Sequence, residues 1–131
     1  MARINDRHFL SRIRPKTRVK SRTTLIPPEL EDAVQEELRA IELGSAEMSH
    51  GNRYTLPSGR VYVDEGNGTF FPVTGPGLIG PVERGVLRAL CVLARYNGPS
   101  AQAMRHLRLE KGIREVDIVQ AVVLWRSRSE T

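Results

Sequence analysis

The sequence predicts an α+β fold: a small three-stranded antiparallel meander packed with about four helices, preceded by an extended basic N-terminal arm. Three observations carry this reading. Between residues 52 and 74, short runs rich in Val, Tyr, Phe and Thr are separated by turns of Gly, Pro and Asn. Residues 30–41 and 82–128 place apolar side chains at helical spacing. Residues 1–22 hold eight Lys or Arg against one acid, Asp6. With 131 residues, 40% of them hydrophobic, the chain can build the core of one domain rather than two. The boundaries follow: an arm at 1–24 and a single globular domain at 25–128.

The arm has a regular pattern. Arg12, Arg14, Lys16, Arg18, Lys20 and Arg22 put a cation at every second position. Along an extended chain side chains alternate sides, so all six project from one face, about 6.6 Å apart. In a helix the same six would scatter around the axis. Pro15, Thr17 and Val19 favour the extended form. Such a row can track a phosphate backbone and displace its counterions, which gives affinity without sequence choice. Nucleic acid, RNA or DNA, is therefore the leading partner. An acidic protein surface is the alternative, because residues 23–47 carry seven acids against Arg39. The arm of one copy would then pair with the acidic helix of another, in a homo-oligomer.

That acidic helix opens at Pro27-Pro28-Glu29-Leu30, where proline suits the first turn and acids complement the helix dipole. Leu30, Val34, Leu38 and Ile41 form its apolar stripe, and Gly44 ends it. The run from Lys20 through Thr23, Thr24, Pro28 and Glu29 to Leu30 resembles the opening of a ribbon-helix-helix repressor. In that family, alternate strand residues enter the major groove and the first helix begins at Pro-Glu-Leu. The resemblance stops there, since residues 45–52 are too short and glycine-broken for the family's second helix.

Three strands follow, at residues 53–56, 60–64 and 69–73, joined by turns at Pro57-Ser58-Gly59 and at Gly66-Asn67-Gly68. Val61 and Val63 alternate with Arg60, Tyr62 and Asp64, which predicts that the valines are buried. Tyr62, with Arg53 and Arg60, would then be free to stack on a single-stranded base. Residues 74–81 read as a rigid glycine-rich connector: no Gly-Lys-Ser/Thr follows, so it is not a phosphate-binding loop.

The next helix sets Arg84, Arg88 and Arg95 on one outer stripe, a second candidate contact for nucleic acid. Ser100 is placed to cap a helix at about 101–111. The last helix, from about Glu115 to Arg128, is apolar on nearly every side, so it belongs in the core or at a subunit interface rather than in a DNA groove.

No signature of nucleophilic or metal catalysis is present, and Cys91 is the single cysteine. No metal site and no cofactor is expected. The enzyme alternative is a small metal-independent ribonuclease of toxin type, with candidates His50, Arg53, Tyr54 and His106 supplying base, acid and phosphate-binding cation. The N-terminus lacks the apolar stretch of a secretory signal, and no run is long enough to span a membrane, so the expected location is the cytoplasm.

Overall fold

The computed structural model describes residues 2–128. Four α-helices form where periodicity places them: α1 (Glu31–Glu42), α2 (Arg84–Arg95), α3 (Ala101–Leu109) and α4 (Glu115–Arg128). In α1, Val34, Leu38 and Ile41 are buried as one stripe. Gly44 then takes φ 76°, a left-handed turn open to a residue without Cβ. The Ser100 hydroxyl accepts the Ala103 N–H at 3.1 Å and so caps α3.

The sheet corrects the expected meander. In chain order the strands are β1 (Arg3–Ile4), β2 (Arg22–Leu25), β3 (Glu47–Ser49), β4 (Arg53–Thr55), β5 (Val61–Asp64), β6 (Thr69–Thr74) and β7 (Ile79–Glu83). The three expected strands are β4, β5 and β6, paired antiparallel. They form the middle of a five-stranded mixed sheet of order β1-β6-β5-β4-β3, in which β1 runs parallel to β6. A second, two-stranded sheet pairs β2 with β7 antiparallel. The added strands are short, or carry Gly80 and Pro81 in their middle, so no alternation marks them in the sequence.

No extended arm precedes the fold. Ile4, Phe9, Leu10 and Ile13 are buried, and 3₁₀ turns at Asp6–His8 and Leu10–Arg12 fold the chain back on itself. The segment zips to the entry of α1: the Leu10 N–H donates to the Ile26 carbonyl at 3.0 Å, and the Ile26 N–H to the His8 carbonyl at 2.6 Å. The guanidinium of Arg128 closes the other side by donating to the carbonyls of Leu10 and Ile13. Four large apolar side chains override the surrounding charge here, at about 1.5–3 kcal/mol for each one buried. Phe9 enters the core between α1 and the sheet, and Leu10 enters the core around α2 and α4.

The β5 strand also turns the opposite way from the sequence reading. Tyr62 is fully buried, whereas Val61 and Val63 are half-buried. The reason lies on α1. Glu37 accepts from Arg60 Nε at 2.7 Å, from the Tyr62 hydroxyl at 2.6 Å and from the Ser58 hydroxyl at 2.5 Å. Arg60 also donates to the Pro76 carbonyl at 2.8 Å. These bonds satisfy the polar heads of Arg60 and Tyr62 inside the fold, so neither is free to stack on a base. Gly75, at φ 140°, allows this approach, because a Cβ there would lie 2.5 Å from the Arg60 Cα.

Candidate nucleic-acid interface

After the buried N-terminal segment, residues 14–20 form a strap laid across α2. A turn starts it: the Thr17 N–H donates to the Arg14 carbonyl at 3.1 Å, and the Arg14 N–H donates to the Thr17 hydroxyl at 2.8 Å. Pro15 suits the second position of such a turn. Beyond it, Val19 packs on the α2–α4 core and its carbonyl accepts from Arg84 at 3.3 Å. The Thr17 carbonyl lies 3.8 Å from the Cys91 thiol, which donates to it. Ile13, Thr17 and Val19 face inward, while Arg14, Lys16, Arg18, Lys20 and Arg22 are exposed.

This path joins two basic patches that are remote in sequence. One cleft, of about 470 Å³, has Lys16 on the strap side, Arg88, Cys91 and Arg95 from α2, and His106 and Glu110 from α3 and its end. A second, of about 460 Å³, opens between the 3₁₀ turns and the strap, with Arg7, Arg12, Arg14, Lys16 and Arg18 around Asp6. Lys16 stands on the ridge between them and lines both.

Some of these cations are neutralised. Arg12 pairs with Asp6 at 3.3 Å and with Glu31 at 4.0 Å, Arg22 with Glu83 at 3.9 Å, and Arg88 with Glu110 at 2.9 Å. Arg14, Lys16, Arg18, Lys20 and Arg95 form no ion pair among the described residues. Arg95 instead lies over the Tyr96 ring, 5.8 Å from its centroid. The outcome is a basic strap that borders both clefts, with Arg14, Lys16, Arg18 and Lys20 exposed to solvent.

Inside the first cleft the Tyr96 hydroxyl holds one nitrogen of His106, and Glu110 lies near the other. The His106 Nδ1 is 3.0 Å from the Tyr96 hydroxyl, and its Nε2 is 3.8 Å from Glu110 Oε1. The same oxygen accepts from Arg88, and the carboxylate beside it raises the Arg88 pKa. Burial pushes the Cys91 thiol upward, against the opposing charge of Arg88. That is the reverse of the lowering that activates a thiolate nucleophile. Among the described residues no three His, Cys, Asp or Glu side chains are placed to share a metal ion.

His50, Arg53 and Tyr54 sit elsewhere, on the β3–β4 hairpin at the edge of the five-stranded sheet. His50 and Arg53 are exposed, and Tyr54 is edge-on to Phe70 at 5.8 Å, part of the α1–sheet core. Neither basic cleft includes them. His106 shares its cleft with Glu110, which sequence reasoning passed over although it stands four residues on, a spacing that brings helical side chains together.

Comparison with family models, curated proteins and solved structures finds no match to this chain. Among the described residues no helix is long and apolar enough to cross a membrane.

Proposed function

We propose that the protein binds the phosphate backbone of nucleic acid along the ridge formed by the strap and the outer face of α2, largely without regard to sequence. The observation that carries this reading is Lys16, which lines both basic clefts, with Arg95 in one and Arg14 and Arg18 in the other, four cations that form no ion pair among the described residues. Free guanidinium and ammonium groups on a rigid support release counterions from a polyanion with little ordering cost. Arg14, Lys16 and Arg18 stand on the strap rather than on a helix that could enter a groove, so the interface positions and does not specify. A cleavage role for His106 has less support, because the other candidates, His50, Arg53 and Tyr54, lie on the β3–β4 hairpin and do not line its cleft.

The test is fluorescence anisotropy with labelled single- and double-stranded RNA and DNA, between roughly 50 and 200 mM salt. Removing the first 22 residues would unfold the core, so the comparison is with Arg14→Ala/Lys16→Ala/Arg18→Ala in the full chain. The expected result is a steep salt dependence and a loss of affinity of at least about tenfold in the triple variant, with unchanged circular dichroism. No binding, or binding that ignores both salt and the triple change, overturns the reading. RNA recovered from the same mixtures should be intact.

A further inference from the structure

Helix α4 has two apolar faces, and the fold uses one of them. Ile118, Ala121 and Leu124 are buried in the core with α2. Val116, Val119 and Val123 are 58%, 57% and 61% exposed. At about 100° per residue these three fall within about 60° of one another, on the side of the helix opposite the buried trio. Their spacing of i, i+3, i+7 is that of a coiled-coil seam. Scattered exposed valines need no explanation, but a continuous stripe of them does, since valine is a poor helix former where packing does not favour it.

We propose that this stripe is a dimer interface on which two copies of the chain pack α4 against α4, antiparallel across a two-fold axis. The flanking charges choose both the partner and the orientation. Glu115, in the first turn, and Arg126, in the last, are exposed and lie on the same flank of the stripe, about 20° apart on the wheel. Neither forms an ion pair among the described residues. An antiparallel pairing centred between Val119 and Gln120 sets Glu115 of each copy about 3 Å along the axis from Arg126 of the other. Two symmetric ion pairs result, and the helix dipoles oppose each other head to tail. A parallel pairing would instead set like charges together at both ends. Asp117, the other acid of the first turn, is buried on Arg114 and does not compete. The patch is small, so the dimer is weak and reversible.

Sedimentation velocity of the full chain without nucleic acid, from about 1 to about 200 μM, reads this directly. The expected mass rises from monomer to dimer across that range. Val119→Glu stays monomeric with an unchanged circular dichroism spectrum, because the side chain it replaces is exposed. Glu115→Arg alone weakens the dimer about tenfold, and Glu115→Arg combined with Arg126→Glu restores it. A chain that is monomeric throughout overturns the proposal, as does a dimer that tolerates Val119→Glu. A double reversal that fails to restore dimerisation in folded protein overturns the antiparallel arrangement.

Discussion

Arg60–Glu37 and Arg88–Glu110 are both short arginine–carboxylate pairs, at 2.7 and 2.9 Å, yet their surroundings differ in kind. The first joins α1 to the sheet, with both side chains nearly buried and both carboxylate oxygens accepting from Arg60, Tyr62 or Ser58. The second lies in the basic cleft with its arginine 51% exposed. There Glu110 Oε2 is buried with no donor among the described residues. A buried ion pair holds a fold only when its remaining lone pairs are also met. The first pair meets that condition and acts as structure. The second leaves an arginine facing solvent beside free cations, which suits a surface that meets a polyanion.

The largest effect should come from breaking the first pair. Glu37→Ala strands the Arg60 charge and the Tyr62 hydroxyl in the interior, and urea unfolding should show a loss of about 3–5 kcal/mol. Glu110→Ala should cost under about 1 kcal/mol, because water can solvate Arg88. Equal losses at the two sites would abolish the distinction.

Acid probes the same α1–sheet half. His8 stands between Thr24, whose carbonyl is 2.9 Å from its Nδ1, and Phe71, and its Nε2 is buried with no partner among the described residues. Burial pushes its pKa down from 6.5 to about 4, with the Thr24 bond opposing and the Arg7 charge assisting. The unfolded chain therefore takes up this proton below pH 6.5, while the folded chain resists until about 4. Stability from this source is complete above 6.5 and falls as the pH drops through that window, by up to about 3 kcal/mol. Glu37 adds a second fall at lower pH. Burial pushes its carboxyl upward, but hydrogen bonds from Arg60, Ser58 and Tyr62 outweigh that and hold it below its ordinary 4.5. Urea midpoints measured from pH 7 to 4 should show the upper window in the parent and lose it in His8→Gln.

On the α2–α4 side, Gly85→Ala should cost about 2 kcal/mol in thermal unfolding. A Cβ there would run into the Asp117 carboxylate that holds Arg114 at the start of α4. The smallest change should be Glu110→Gln, which frees Arg88 and leaves the fold in place. Oligonucleotide affinity should rise about threefold, and the salt dependence should steepen by about one phosphate contact. Weaker binding in that variant would show that Glu110, not the cations around it, makes the contact.

Much of this structure is legible residue by residue. Pro28 and the acids behind it announce α1, Gly44 ends it, and Ser100 caps α3. Pro57-Ser58-Gly59 turns the chain between two strands. Each of these signals acts over a few residues, through backbone geometry or one hydrogen bond, so the local sequence contains it whole.

What stayed hidden depends on distant partners. Tyr62 and Arg60 looked like a wet face because nothing near them accepts their donors; Glu37, on another element, does. Ile4, Phe9, Leu10 and Ile13 have no period, so their burial shows only once α1, the sheet and α4 surround them. The basic segment is not a loose arm for the same reason, and its cations reach those of α2 only because Val19 and Thr17 anchor it there. The sequence by itself therefore determined the helices, the central strands and the excess of positive charge. Only the tertiary structure decided which faces are buried and which charges stay free, because burial and charge pairing are settled between groups that meet only when the chain has folded.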